Sequence, residues 1–80
     1  MALFDEIKEL IISELAVDES AVVQAAHLQD DLDADSLGLL NLAEAISARF
    51  GIELQGDDLV DLPNVGELVK LVELKIASRS

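Results

Sequence analysis

Cysteine is absent from this 80-residue chain, and aromatic residues are nearly absent, since Phe4 and Phe50 are the only two. Without cysteine the chain can form no disulfide, no thiolate metal site and no cysteine nucleophile. Hydrophobic residues nevertheless make up 51% of the chain, which is too apolar a composition for a disordered protein. The sequence therefore predicts a small folded domain whose core is aliphatic.

Basic residues are also scarce, because five Lys and Arg stand against 17 Asp and Glu, for a formal net charge of −12. Proteins bind nucleic acids by neutralising phosphates with Lys and Arg, so repulsion argues against DNA or RNA as a partner. The same sign of charge disfavours anionic membrane surfaces. Residues 1–62 hold 15 of the acids and only two of the bases. A protein with a basic surface is the expected complement.

Segments that would direct the chain to or through a membrane are missing from the sequence. No apolar run approaches the roughly 20 residues of a membrane span, and Asp5 and Glu6 stand where a signal peptide would be basic. Met1 lies directly before the first periodic segment. We therefore expect residues 1–80 to form one free-standing, monomeric domain in the cytoplasm.

Three segments carry the three- and four-residue spacing of apolar side chains that is typical of amphipathic helices. We expect Asp35 to be the N-cap of the second helix, Gly51 to end that helix, and Asn64 to cap the third. The apolar positions are Leu3, Phe4, Ile7, Leu10, Ile11 and Leu15 in the first segment, Leu39, Leu42, Ala43, Ile46 and Phe50 in the second, and Val65, Leu68, Val69, Val72 and Ile76 in the third.

The connections between these segments differ in length. Residues 16–34 show no sustained period and are expected to form a long loop, which is uncommon in so small a domain and often functional. Residues 57–62 could make one short helical turn, and nothing alternates strictly enough to predict a strand. The expected fold is therefore all-α: a small four-helix bundle of three longer helices and one short helix, with a long loop between the first and second helices.

An acidic run at the end of this loop resembles the start of a calcium-binding EF-hand loop. Such a loop needs glycine at its sixth position and a bidentate acid at its twelfth, and these positions are occupied by Ser36 and Leu42. A specific calcium site is therefore not expected. Weak association of divalent cations remains open for the four aspartates of the run, Asp30, Asp31, Asp33 and Asp35.

Intrinsic enzyme chemistry has little support in this sequence. A catalytic serine needs a positioned general base, and the single histidine, His27, is the one conventional candidate for Ser36. No sequence argument brings the two together, and a histidine in a loop or short turn is the simpler interpretation. The other serines considered carry no constellation of catalytic partners: Ser13, Ser20 and Ser47. We therefore expect a protein that is not an enzyme.

Ser36 is the candidate for a modified side chain. It follows Asp35 at the start of the second helix, where a hydroxyl is exposed and nearby backbone N–H groups can stabilise an attached phosphate. When the apolar stripe of this helix faces inward, Leu37, Leu40 and Glu44 gather on the opposite side. Two exposed leucines beside one serine indicate a docking surface.

Taken together, these features resemble the acyl carrier proteins. The similarity runs through the Asp-Ser-Leu motif at 35–37, the segment Phe-Gly-Ile-Glu-Leu at 50–54, the Asp57-Asp58 pair and the Asn64-Val65 start of the last helix. Asp-Ser-Leu alone is a weak motif. Its combination with Phe-Gly-Ile 14 residues later, in an acidic helical chain of this length, is strong, and the similarity covers nearly the whole chain.

The resemblance implies a carrier that holds acyl groups as thioesters and catalyses nothing. Ser36 would be the attachment point for covalent 4′-phosphopantetheine, with Asp35 and Leu37 beside it, and the thiol of that arm would supply the sulfur that the chain lacks. A phosphopantetheinyl transferase would load the arm. Synthases, acyl-transfer enzymes and other enzymes that use the acylated carrier would act on it, in fatty-acid, specialised lipid or polyketide biosynthesis. The resemblance places docking of their basic and apolar patches at Leu37, Leu40, Asn41, Glu44, Asp57 and Asp58.

The second helix departs from the common pattern of that family. Carriers of fatty-acid synthesis usually have several acids along it, whereas residues 36–50 contain only Glu44, offset by Arg49. Gly38 and Asn41 stand at positions that are often acidic. We therefore expect docking to be more apolar and centred on the two exposed leucines, and a housekeeping and a specialised carrier both stay open. Two frequent glycines are also replaced, by Ala16 and Asp33.

Two alternative functions stay open beside the acyl carrier. An aminoacyl carrier of the D-alanyl type would share the fold, and Gly38 after the Ser-Leu pair is similar to those proteins. An unmodified acidic helical module that binds a basic protein would instead keep its function when Ser36 is replaced by alanine.

Overall fold

Four α-helices account for most of the chain in a computed structural model that describes residues 2–79. The helices are α1 at Leu3–Leu15, α2 at Ser36–Phe50, α3 at Gly56–Val60 and α4 at Val65–Ser78, and a 3₁₀ turn lies at Glu19–Ala21. No strand occurs within residues 2–79. The all-α prediction of three longer helices and one short helix is confirmed, and Met1 and Ser80 lie outside the described residues.

The predicted helix ends are confirmed by hydrogen bonds and backbone angles. Asp35 Oδ1 accepts a hydrogen bond from the Gly38 N–H at 2.7 Å, which satisfies one of the free amides of the first turn of α2. Gly51 ends α2 with φ at 65°, a left-handed conformation that glycine adopts without steric cost. Asn64 Oδ1 caps α4 by accepting from the Glu67 N–H at 2.9 Å.

The apolar stripes of the three longer helices meet in one aliphatic core. In that core α2 packs against both α1 and α3, and α1 also packs against α4. The phenylalanines lie at its margin, half-buried. Its buried helical members are Ile7 and Ile11 from α1, Leu39, Leu42, Ala43 and Ile46 from α2, Leu59 from α3, and Val65, Leu68 and Val72 from α4.

The predicted long loop between α1 and α2 is present, and it is anchored in the core. Val22, Leu28 and Leu32 are almost completely buried. Two of its carbonyls accept hydrogen bonds from the start of α4, where the Val65 N–H binds Ala26 O and the Gly66 N–H binds Gln24 O, each at 2.9 Å. These bonds satisfy backbone groups that a helix start otherwise leaves free. The segment that leads to Ser36 is therefore held against the bundle.

None of the helices in residues 2–79 combines the length and the apolar character that crossing a membrane requires.

Candidate functional site

Ser36 is the first residue of α2, directly after its N-cap, and its side chain is exposed. Its position is fixed locally, because Asp35 holds the first turn through the bond to the Gly38 N–H. The unpaired amides and aligned peptide dipoles of this turn favour negative charge near the hydroxyl. The predicted location of Ser36 at an exposed helix start is therefore confirmed.

A cleft of about 520 Å³ lies between α2 and α3, with Ser36 at its edge. The buried side chains of Leu39 and Leu54 form its apolar inner part, and the partly exposed Leu40 and Val60 lie at its rim. Polar residues also line the cleft: Glu44, Gln55 and Asp57. Apolar side chains beside an exposed hydroxyl suit a molecule that joins a polar anchor to a hydrocarbon chain.

Large apolar side chains are exposed around this cleft. Leu37 is 63% exposed and Leu40 is 44% exposed, as expected from the helical spacing. Val60, 48% exposed at the end of α3, lines the cleft together with Leu40, although the sequence did not single it out. A helix of five residues is too short to show a period. The only available signal was the predicted short helical turn itself.

The polar residues predicted to dock partners differ in their surroundings. Asn41, Glu44 and Asp57 are exposed, and Glu44 and Asp57 line the same cleft as Ser36. Asp58 is half-buried, and its Oδ2 accepts a hydrogen bond from the Gln55 N–H at 2.9 Å. The Asp58 carboxylate thus stabilises the start of α3.

Gly38 has a packing role at the start of α2. A Cβ added at this position would lie 3.1 Å from Leu15 Cδ2 and 3.2 Å from Asp35 Oδ1. Both contacts are tighter than ordinary van der Waals separation, so a larger residue would push against α1 and against the N-cap. The missing acid at this position therefore has a structural reason that the sequence pattern did not reveal.

The acidic run before α2 is organised by hydrogen bonds within its own turn. Asp31 Oδ2 accepts from the His27 N–H at 2.7 Å, and His27 Nδ1 lies 3.6 Å from Asp30 Oδ2. Asp33 adopts a left-handed backbone with φ at 54°, which aspartate tolerates better than most residues. Within residues 2–79, no group of three or more His, Cys, Asp or Glu side chains is arranged to hold a metal ion. Weak divalent binding by the four aspartates stays a prediction.

His27 has a structural role in this turn. Its Nδ1 accepts a hydrogen bond from the Asp30 N–H at 3.4 Å, and its carbonyl accepts from the N–H groups of Asp31 and Leu32. These bonds close the turn that leads to the buried Leu32 side chain. The interpretation of His27 as a short-turn residue therefore agrees with its contacts.

The residues at the start of α2 suit the covalent cofactor that the sequence implies. A phosphopantetheine arm joins a protein through a phosphodiester, and an exposed serine hydroxyl is the group needed for that bond. The helix start favours the negative charge of the phosphate. The cleft beside Ser36 offers a surface for what the arm carries.

Comparison with known proteins points to the same chemistry. Residues 5–72 match the sequence model described as a phosphopantetheine attachment site. The chain is 39% identical over 74 residues to an acyl carrier protein of Thermotoga maritima, an alignment that covers 92% of this chain and 91% of that protein. It is 39% identical over 74 residues to an acyl carrier protein of Petrotoga mobilis, covering 92% and 87% of the two chains. An acyl carrier protein of Helicobacter pylori is 38% identical over 73 residues, covering 91% and 94%.

The match spans most of the chain on both sides, and the helical fold agrees with it. The protein is therefore a carrier rather than an enzyme, its cofactor is covalent 4′-phosphopantetheine, and its cargo is an acyl group. On these grounds the chain belongs to the acyl carrier protein family.

Proposed function

We propose that this acyl carrier holds its cargo on a 4′-phosphopantetheine arm attached to Ser36. The observation that supports this assignment is the position of the Ser36 hydroxyl, exposed at the first residue of α2 and at the edge of the cleft. When bound, the arm supplies the thiol on which acyl groups are held as thioesters. The role of the chain is to present that thiol to many enzymes from one tethered position.

Loading requires the Ser36 oxygen to form a bond to the phosphate of the arm. The donor would be coenzyme A, in which the bond between that phosphate and the nucleotide part would break as the nucleotide leaves. The serine proton would pass to a base supplied by the phosphopantetheinyl transferase. The chain contributes an accessible hydroxyl, a capped helix start that keeps it in place, and amide dipoles that favour the new negative charge.

Partner enzymes dock on a surface that we call the apolar patch, formed by Leu37, Leu40 and Val60. Leu37 follows the attachment point directly, and Leu40 and Val60 line the cleft that Ser36 also lines. The rest of α2 carries little net charge, because Glu44 is balanced by Arg49. Hydrophobic contact with the transferase, synthases and acyl-transfer enzymes would therefore supply most of the affinity.

Acidic and polar residues at the rim of the patch would orient those partners. Asp57 and Glu44 lie at the cleft, Asn41 is exposed on α2, and Asp58 is half-buried at α3. Carboxylates at the edge of an apolar contact attract basic partners and fix the register of docking more than they raise affinity. We propose that the carrier meets these partners in the cytoplasm, the location expected from the sequence.

The cleft between α2 and α3 is the proposed shelter for the acyl chain. Hydrocarbon that packs against Leu39 and Leu54 is removed from water, which is favourable by about 25 cal/mol of free energy per Å² of apolar surface buried. Acyl groups gain from such walls, whereas a charged aminoacyl group would have to be desolvated. The buried apolar side chains of the cleft thus support acyl cargo.

The test is an intact-mass measurement before and after incubation of the unmodified chain with coenzyme A and a broad-specificity phosphopantetheinyl transferase. The native chain is expected to gain one phosphopantetheine, and Ser36→Ala is expected to gain none. Ser13→Ala is the matched control, because Ser13 is an exposed serine on α1, and it should be loaded like the native chain. Loading of Ser36→Ala would show that the arm is attached elsewhere. Failure of the native chain to accept an arm from several transferases would favour an unmodified interaction module.

A further inference from the structure

Ser47, near the end of α2, makes three hydrogen-bond contacts with its hydroxyl although it carries no sequence motif. Its Oγ accepts a hydrogen bond from the Leu54 N–H at 3.0 Å. The hydroxyl proton can be donated to Leu54 O at 3.0 Å or to Ala43 O at 2.7 Å. The half-buried Ser47 side chain therefore accepts from the Leu54 N–H and has the Leu54 carbonyl within reach of its proton, so it can satisfy both backbone polar groups of this buried residue.

The backbone of Ser47 closes the turn after α2 independently of this side chain. Its carbonyl accepts hydrogen bonds from the Gly51 N–H at 2.9 Å and from the Ile52 N–H at 3.2 Å. A substitution that removes only the hydroxyl leaves these two bonds in place. The specific task of the Ser47 side chain is thus to hold Leu54.

Leu54 occupies a position from which it controls the cleft. Its side chain is 5% exposed and lines the inner wall, and α3 begins two residues later at Gly56. A Cβ added at Gly56 would lie 3.3 Å from Leu40 Cα, so the start of α3 rests against the backbone of α2. The wall opposite α2 is therefore fixed at two points, by Ser47 at Leu54 and by close backbone contact at Gly56.

We propose that Ser47 is a positioning residue that fixes the depth of the cleft and so limits the length of acyl chain that it shelters. A chain that reaches past Leu54 must displace that residue and break its bonds to the Ser47 hydroxyl. Displacement leaves backbone groups in a low-dielectric site without partners, which disfavours it strongly. Shorter chains stop before this wall and leave it intact. This inference rests on the proposed function, because it takes the acyl chain to enter the cleft next to Ser36.

Thermal unfolding of an acyl series tests the inference. The native chain, Ser47→Ala, Ser47→Thr and the control Ser13→Ala are prepared with a free arm and with butyryl, octanoyl and dodecanoyl groups. In the native chain, we expect acylation to raise Tm for the shorter groups and to add nothing further for dodecanoyl. In Ser47→Ala, dodecanoyl should give the largest increase, because the wall at Leu54 can move. Ser47→Thr, which keeps the hydroxyl, and Ser13→Ala should show the native pattern.

A merely structural role for Ser47 predicts a different result. It would lower the Tm of every Ser47→Ala species by the same amount and leave the dependence on chain length unchanged, which overturns the inference. Absence of any acyl-dependent increase in the native chain would overturn it too, because the cleft would then hold no cargo. That outcome is distinct from failure of the carrier function, since attachment at Ser36 is measured separately by mass.

Amide hydrogen exchange gives a second measurement that needs no arm. In unmodified Ser47→Ala, the Leu54 amide should exchange roughly five- to thirtyfold faster than in the native chain, the effect of losing one or two hydrogen bonds. The Gly51 and Ile52 amides should be unchanged, because their acceptor is the Ser47 backbone. Equal acceleration at all three amides would mean that the whole turn loosens, and the specific role of the hydroxyl would be refuted.

Discussion

The two ends of α2 differ in exposure and in the contacts that their side chains make. At the amino end, Ser36, Leu37 and Leu40 are exposed around the cleft. At the carboxyl end, Ile46 is fully buried and the Ser47 hydroxyl binds the backbone of the segment that follows. A carrier must offer its attachment point to many enzymes and still be rigid enough to position it. In this chain the amino end of the helix presents the site and the carboxyl end anchors the helix.

The amino end of α2 stays ordered although it presents exposed side chains, because Leu39 is buried in the core and both the cap and the preceding loop hold the first turn. The Asp35 cap binds the Gly38 N–H, and the loop that leads into the helix is fixed by the buried side chains of Leu28 and Leu32. The exposed side chains of Leu37 and Leu40 therefore contribute less to the core than the buried side chains of α2 do. The side chains of α2 that face solvent are therefore different from those that pack in the core, which leaves the apolar patch free for partners.

Removing a core side chain from the anchored end should produce the largest loss of stability. Ile46→Ala deletes buried methylene and methyl groups and leaves a cavity between packed helices, which typically lowers the free energy of unfolding by about 2–5 kcal/mol. Urea unfolding measures this change. Leu74→Ala is the control, because Leu74 is 64% exposed on α4, and it should shift stability by less than about 0.5 kcal/mol. A loss below about 1 kcal/mol for Ile46→Ala would contradict the anchoring role of this end.

Shortening the exposed leucines at the amino end of α2 should slow arm transfer and leave the free energy of unfolding nearly unchanged. Leu37→Ala combined with Leu40→Ala is expected to lower kcat/KM of arm transfer by roughly tenfold or more, because truncating side chains at the centre of an interface can cost over 1 kcal/mol. The free energy of unfolding should change by less than about 0.5 kcal/mol. The comparison uses Leu74→Ala again, since Leu37 and Leu74 have nearly equal exposure, 63% and 64%. Unchanged transfer kinetics in the double variant would place docking elsewhere on the surface.

The smallest change in stability among these variants with a measurable loss is expected at Asp35, the N-cap of α2. Asp35→Ala removes the acceptor for the Gly38 N–H and should cost about 1 kcal/mol of stability. Asp35→Asn keeps a side-chain oxygen that can accept this bond, so its loss should be smaller and limited to the charge–dipole part. Thermal unfolding of both variants measures the difference. Equal losses would show that the charge of Asp35, rather than its hydrogen bond, stabilises the helix start.

Features that depend on neighbouring residues could be predicted from the sequence. The caps at Asp35 and Asn64 and the helix end at Gly51 follow from side-chain chemistry within one turn, and the structure contains all three. The apolar stripes follow from the 3.6-residue period, which also predicted that Leu37 and Leu40 are exposed. The location of Ser36 at an exposed helix start belongs to the same group.

Contacts between distant segments were not predicted, because no local pattern encodes them. The carbonyls of Gln24 and Ala26 bind the start of α4 across about 40 positions of sequence. The loop shows no period, so its buried anchors could not be told from exposed residues by spacing. Asp58 was assigned to partner docking from the family resemblance, whereas the fold also uses its carboxylate at the start of α3.

The sequence by itself determined the class of this protein: an acidic, aliphatic, all-α acyl carrier with an exposed serine at the start of its second helix. The lack of cysteine excludes disulfides and thiolate metal sites, and the excess of acids argues against nucleic acids as partners. Helical periodicity and capping are local properties of the sequence. Only the tertiary structure placed Val60 at the same cleft as that serine, bound the Ser47 hydroxyl to Leu54, and brought Gly56 against Leu40. The depth of a cleft depends on how two helices approach each other, and packing of the whole core decides that approach.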